Sequence, residues 1–566
     1  MPDLARDLAL SQSVTPRPIA EVAAALGLAD FIEPYGRHAA KVSLAAVPVS
    51  EPGRTGRYVV VTAITPTPLG EGKTVTSIGL GQAFGALGKK AVVCLRQPSA
   101  GPVFGVKGGG AGGGRAQIVP WESITFHGTG DSHAVAAAHN LLSAFLDNHI
   151  HHGNALGIDP EQIVWPRVVD ICDRALAEIR LLGGGEKEAR TDRFDIVAAS
   201  EIMAILALAS DLGDLRARMA RMIVAQDRAG RPVTAGQIGC VGSMAVLLRE
   251  AIKPNLMQTM EGTPALIHAG PFGNIAHGNN SILADRIALA RADWTVTEAG
   301  FGADLGFEKF AHIKCRLSGL RPDAAVLVCT VRGLKYHSGR FSILSGKPPD
   351  PALSREDLDA LEAGAWNLRR QIANVRVFGT PVVVAINRFA TDTDREIDRV
   401  RALALDAGAA GAVPCLVFTE GGRGGRELAE TLARVAGQGP APPLSWLYPL
   451  DAPIDAKIDA LARGLYGAAG VTYDEAARQD LERWTALGFA GLPICMAKTQ
   501  YSFSHDPKQR VDPSGYLFRV RRVRLSAGAG FLYPVAGAMK TMPGLPSAPL
   551  GAHFDLDDQG RVVFRG

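Results

Sequence analysis

The stretch Thr65-Pro66-Thr67-Pro68-Leu69-Gly70-Glu71-Gly72-Lys73-Thr74 lies between a strand-like apolar run, Tyr58 to Ile64, and a helix-like one, Val75 to Leu87. Strand, tight glycine turn and helix are the layout of a nucleotide phosphate loop. Backbone N–H groups in such a turn point at an anion, and the helix that follows adds the positive end of its dipole. Lys73 is placed to reach the β- and γ-phosphates, and the Thr74 hydroxyl to ligate Mg2+. The Walker A pattern asks for Gly six residues before its Lys, where this chain has Thr67, but the core Gly70-x-Gly72-Lys73-Thr74 is intact.

Working outward, further apolar runs alternate with helix-length segments: Ala91 to Leu95, Ala324 to Val331 and Pro381 to Ile386. Unbroken apolarity, rather than alternation, predicts strands buried on both faces. The fold expected is therefore α/β, a P-loop NTPase-like, mostly parallel sheet flanked by helices, with smaller additional α/β domains. Ligands of such sheets bind beyond the carboxyl ends of the strands. Arg96 directly follows the second run, so it projects beside the phosphate loop, where a guanidinium clamps carboxylate or phosphoryl oxygens bidentately. Asn387-Arg388-Phe389-Ala390 ends another run and superficially resembles the N-K-x-D base-reading loop. Its fourth position is Ala390, not Asp, and guanine needs that carboxylate, so the spacing points weakly to another base such as adenine, with a plain strand-end turn an equally good reading.

Between the second run and residue 115 lies Gly108-Gly109-Gly110-Ala111-Gly112-Gly113-Gly114, too flexible for an element interior and expected to be a substrate loop. Histidines cluster at His127 and His133 and again at His149, His151 and His152. Neither cluster has the H-x-x-x-H spacing with a general-base Glu, nor a C-x-x-C companion, so loop or interface histidines are favoured over zinc ligands. No G-x-S-x-G elbow is present, which turns the reading from covalent catalysis to phosphoryl transfer by positioning and charge neutralisation.

At 566 residues, with 47% apolar and 20% charged residues, the chain is long enough for two or three domains with large cores. A Pro/Gly-rich stretch, Gly437 to Pro443, marks a boundary, and Phe518 to Val523, alternating apolar and basic, belongs to a smaller C-terminal unit. The expected division is 1–365 as a large nucleotide-binding domain, 366–460 as a second α/β domain and 461–566 as a small C-terminal domain. A net charge of +4 from 60 basic and 56 acidic residues gives no global field for nucleic acid or membrane, so neither is an expected partner. No uncharged apolar run approaches the ~20 residues that span a bilayer. Seven scattered cysteines without a C-x-x-C pair predict buried free thiols, and a cytoplasmic location.

Several long segments closely resemble formate–tetrahydrofolate ligases: Thr65 to Thr74, Leu95 to Gln117, Asp147 to Asn154, Lys253 to Asn280, Thr297 to Arg316, Pro381 to Thr393 and Arg524 to Pro546. The resemblance implies ATP-dependent ligation of formate to tetrahydrofolate through formyl phosphate, with ATP, Mg2+ and tetrahydrofolate as partners of the site and a homotetramer as the assembly. Carried over, it makes Thr67, Pro68, Leu69, Gly70, Glu71, Gly72, Lys73 and Thr74 the ATP loop, Thr74 the metal-side residue, and Lys73 and Arg96 catalytic. Phe301, Phe389 and Phe418 lie in motifs similar to those lining the family's pterin and adenine pocket, Asn387 is counted with Phe389 and Phe418 as cofactor-binding, and Asp304 and Glu308 are candidates for orienting substrate or metal alongside helix-capping or surface roles. Two positions depart from the family pattern. Gln97 replaces the Glu of L-R-E-P-S, which predicts a muted response to monovalent cations. Phe418 replaces Trp, shrinking the stacking face at a cost of up to ~1 kcal/mol. A ligase for another amine would keep Lys73 and Arg96 without a pterin pocket, and a non-catalytic switch would bind ATP without acid-dependent turnover.

Overall fold

In the computed structural model, residues 4–48, 56–105, 110–182, 189–343, 349–437, 439–537 and 539–565 are described. Seven parallel strands form the centre: β1 (Arg57–Ala63), β2 (Ala91–Leu95), β3 (Pro264–Ile267), β4 (Trp294–Glu298), β5 (Ala324–Cys329), β6 (Val382–Asn387) and β7 (Gly411–Cys415), in the order β3-β2-β4-β1-β5-β6-β7. Asn255–Thr259 adds an antiparallel strand beside β3. The expected runs are recovered with small shifts at their ends. The Ala324 to Val331 run stops at Cys329, because Thr330 accepts the Gly333 N–H and so starts the helix Val331–His337.

Period-two alternation explains why these strands read as continuous apolar runs. Tyr58 and Val60 of β1 face a core with Leu327, Val384 and Ile386, covered by Leu361, Leu368, Ile372 and Val375 of helix α2 (Leu358–Arg376). The intervening Val59, Val61 and Ala63 face the opposite core. That core is closed by Ile78, Leu80 and Phe84 of α1 (Lys73–Ala86) and by Leu428 and Leu432 of α3 (Arg426–Ala436). Both faces are therefore dry, and no polar position is required along the strand.

The central sheet continues across residue 365, since β6 pairs with β5 from Ala325↔Val382 to Cys329↔Ile386 and β7 pairs with β6. The run Phe518 to Val523 is split between two strands that belong to different small sheets. Leu517–Val520 lies parallel to Gly470–Tyr473, and Arg522–Ser526 lies antiparallel to Phe531–Ala536. All seven cysteines are free and buried, and no helix among the described residues is long and apolar enough to cross a membrane. The sequence reading of Gly108 and Gly109 lies outside the described residues. Gly112 and Gly113 pair with Gln117 and Ala116 in a short hairpin, and the Gly114 N–H donates to Asp7 Oδ1 at 2.8 Å.

Candidate active site

After β1 the chain crosses to β2 on one side, while β5, β6 and β7 extend the sheet on the other. The carboxyl end of β1 therefore sits where the connections diverge, the place where open α/β sheets leave a crevice. The loop 65–74 occupies it. Gly70 and Gly72 adopt left-handed backbone, φ 76° and 84°, which only glycine takes without strain. A Cβ on Gly72 would lie 2.6 Å from Asn387 Nδ2, which donates to the Glu71 carbonyl at 3.0 Å. Asn387 thus braces the loop from the end of β6, in addition to any contact with a base. Leu69 packs beside Tyr336 and Leu353 and anchors the loop through its side chain.

Glu71 is buried, and its two oxygens are both engaged. Oε1 accepts the Thr67 N–H at 3.0 Å, and Oε2 accepts the Thr330 hydroxyl at 2.6 Å. The carboxylate is a strut within the loop, tying it to the end of β5. Lys73 and Thr74 form the first turn of α1, and Gly72 precedes them as its cap residue.

Thr74 and Arg96 are joined by a residue absent from the sequence reading. Glu298, the last residue of β4, accepts the Thr74 hydroxyl on Oε2 at 2.7 Å and Arg96 Nε on Oε1 at 3.2 Å. Its side chain is only 5% exposed. The signal was a lone acid ending an otherwise buried strand, in the segment Thr297 to Arg316, where burial of a carboxylate is costly unless it is paired. Arg96 itself lies against glycines: a Cβ on Gly300 would sit 3.4 Å from Nη1, and one on Gly278 3.9 Å. The guanidinium is therefore flanked by bare backbone, with space that larger residues would fill.

The aromatic candidates take different positions. Phe301 has φ 59°, rare for a bulky residue and typical of functional sites, and its ring would lie 2.7 Å from a Cβ on Gly273. Phe389, after β6, has one face covered by the Arg332 guanidinium, 3.7 Å from the ring centroid. Phe418, after β7, is 40% exposed, and its ring lies against Gly114 of the glycine-rich hairpin. Asp304 and Glu308 are buried, which rules out the surface role. Lys498 Nζ donates to Asp304 at 2.7 Å, tying the C-terminal unit to the sheet edge, and Glu308 pairs with His312 at 2.8 Å. Of the histidine clusters, His127 and His133 stack with their ring centroids 5.2 Å apart.

The donor set beside the loop, a hydroxyl on Thr74 and the carboxylate of Glu298, is hard oxygen of the kind Mg2+ prefers. Fold and site together define an α/β enzyme that works at the carboxyl edge of a parallel sheet. The family model for formate–tetrahydrofolate ligase matches residues 5–564. The chain is 58% identical over 562 residues to the formate–tetrahydrofolate ligase of Roseiflexus sp. (strain RS-1), covering 98% of this chain and 99% of that one. It is 52% identical over 560 residues to that of Saccharopolyspora erythraea, again covering 98% and 99%. The chain belongs to the formate–tetrahydrofolate ligase family and is a ligase.

Proposed function

We propose that the protein ligates formate to tetrahydrofolate at the expense of ATP, through formyl phosphate, at a site built from Lys73, Thr74, Arg96 and Glu298. The observation that carries this reading is the Glu298 carboxylate, which couples the loop threonine to the strand-end arginine and so holds the nucleotide side and the acid side of the site in one unit. Formate at neutral pH is an anion with no usable leaving group. In the first step a formate oxygen forms a bond to the γ-phosphorus as the bond to ADP breaks, giving the mixed anhydride. The N10 amine then attacks the formyl carbon, phosphate leaves, and the amine loses a proton to give 10-formyltetrahydrofolate.

Two anions must approach in the first step, so cations matter more than any nucleophile of the protein. Lys73 serves the triphosphate, and Arg96 holds formate and then the acyl phosphate. Thr74, with Glu298 behind it, is the residue that would hold Mg2+, which when bound neutralises phosphate charge. Glu298 also fixes the Arg96 guanidinium in a single orientation. Adenine is assigned to Phe389 and Phe418 at the ends of β6 and β7, and the pterin to Phe301. The loop residues Thr67 to Gly72 contribute backbone N–H groups, and a homotetramer in the cytoplasm is the assembly and place the family implies. The division 1–365, 366–460 and 461–566 is retained as three functional segments around a sheet that the first two share.

The test is a coupled assay of 10-formyltetrahydrofolate formation with each reactant omitted in turn. ADP release that requires both formate and tetrahydrofolate is expected. Release that persists with another acid or amine and ignores formate would overturn the assignment.

A further inference from the structure

Across the carboxyl edge of the sheet the strands run β2, β4, β1, β5, β6 and β7, each about 4.8 Å from the next. Arg96 follows β2 and Glu298 ends β4, on the acid side. The loop 65–74 follows β1, while Phe389 and Phe418 follow β6 and β7, on the side assigned to adenine. Between the loop and Phe389 lies the end of β5, which brings Arg332 there in the first turn of the helix Val331–His337. That turn abuts the loop. Thr330 donates its hydroxyl to Glu71 Oε2, and a Cβ on Gly333 would lie 2.8 Å from the same oxygen. The Arg332 side chain reaches toward β6, where its guanidinium lies 3.7 Å from the Phe389 ring centroid.

The guanidinium is held in place but not satisfied. Its Nε is buried and has no hydrogen-bond partner, and among the described residues no carboxylate forms an ion pair with it. The two acids whose fields reach it are engaged elsewhere: Glu71 with Thr67 and Thr330, and Asp392 with the Phe389 N–H, accepted on Oδ2 at 2.8 Å. Burial lowers the Arg332 pKa, and these carboxylates oppose that shift. A partly buried cation without a counter-charge is unfavourable, and an anion bound beside it relieves the imbalance. Stacking on an aromatic face orients a guanidinium and leaves its edge donors free for phosphate oxygens.

A nucleotide lying from the acid side to the adenine side has its γ-phosphate beside Lys73 and Thr74 and its β-phosphate over the loop. The α-phosphate is then the charged group between the loop and the base. We propose that Arg332 binds the α-phosphate of ATP, with its guanidinium aimed by the Phe389 ring, whose other face is left for adenine. The proposal rests on the ligase reading above. The charge on the α-phosphate does not change as the γ-phosphoryl group is transferred, so this contact holds ATP and ADP alike without favouring the transition state.

Steady-state kinetics of Arg332→Gln test it. KM for ATP is expected to rise about ten-fold as one charge-assisted contact is lost, with kcat and KM for formate staying within about two-fold, the pattern of an interaction made equally in ground and transition states. Arg332→Lys keeps the charge without the fork and should fall between. An unchanged KM for ATP, or a KM for formate that rises in step with it, would overturn the proposal. Calorimetric titration should show ADP binding weakened by the same factor in Arg332→Gln, while the inhibition constant of adenosine, which has the base and no phosphate, holds. Adenosine affinity lost in step with ADP affinity would place Arg332 on the base and overturn the phosphate assignment. In the wild type, where no variant has to fold, ADP should protect Arg332 from phenylglyoxal, read by mass spectrometry of its peptide. Equal labelling with and without ADP would count against the contact. Neither the ADP titration nor the labelling needs formate or folate, so failure at Arg332 and failure of the ligase reading are separate results.

Discussion

Glu298 accepts the Thr74 hydroxyl at 2.7 Å, although the two residues lie 224 positions apart in the chain. One carboxylate at the end of β4 thereby sets the first turn of α1 and, through its second oxygen, the Arg96 side chain. Glu298→Gln keeps the shape but loses the charge that holds Arg96 and that, on the proposed function, supports Mg2+. A fall in kcat of roughly 10²-fold is expected, with a higher Mg2+ requirement and little change in melting temperature. Steady-state kinetics across a Mg2+ titration checks it, and an unaltered Mg2+ profile would remove Glu298 from the site.

On the proposed function the Lys73 charge serves the triphosphate rather than the core, so Lys73→Ala should reduce ligation on the order of 10³-fold while the fold is kept. Arg96→Ser should raise the formate concentration needed for half-saturation and slow turnover. Formate saturation curves for the two variants distinguish the roles, since the lysine variant is expected to change the ATP curve first.

Gly72→Ala forces a left-handed backbone on an L side chain and pushes its Cβ toward Asn387. A stability loss of about 1–2 kcal/mol is expected from the backbone alone, with a larger loss of nucleotide binding. Thermal melting read beside ATP titration calorimetry separates the two, and unchanged ATP affinity would count against the loop assignment.

Gln97 is buried, its Oε1 has no hydrogen-bond partner among the described residues, and it carries no charge to attract a cation. KCl is expected to stimulate activity little more than tetramethylammonium chloride does. Gln97→Glu should create a potassium response. Strong KCl activation of the wild type would show that a different group binds the cation.

His139 and His268 are both buried, each with Nε2 donating to a backbone carbonyl, that of Pro166 or Ala251, and Nδ1 on a serine hydroxyl, Ser200 or Ser281. Burial depresses them to about 3 and about 4 respectively. A folded value below the unfolded ~6.5 means that the unfolded chain binds the proton first. Stability is then full above pH 6.5 and declines as pH falls toward 4, by about 1.4 kcal/mol per pH unit for each histidine. Urea midpoints at pH 7, 6 and 5 should fall in turn, and the decline should be shallower in His139→Gln.

The parallel sheet was legible because strands buried on both faces need no polar residues, so β1, β2, β5 and β6 stand out as unbroken apolar runs. The glycine turn ahead of α1 and the place of Arg96 at the end of β2 were legible because glycine spacing and strand-end position carry local signals. Glu298 was not, since its importance comes from contacts with residues more than 200 positions away. The same holds for Glu71, read as a loop residue but serving as a strut to Thr330. The alternating run Phe518 to Val523 is divided between two sheets, because alternation does not reveal which sheet each half joins. The shared sheet across residue 365 was hidden for a related reason: composition marks linkers, whereas hydrogen-bonded pairing between β5 and β6 leaves no trace in it.

The brace from Asn387 to the Glu71 carbonyl spans 316 residues. During synthesis, the loop 65–74 leaves the ribosome long before its support does. Until β6 has emerged, the nascent chain presents β5 as a bare hydrophobic margin and a loop without its prop. Truncated products ending upstream of that strand should therefore need chaperone protection and be unable to grip nucleotide, which makes the folding of this enzyme an event of late translation.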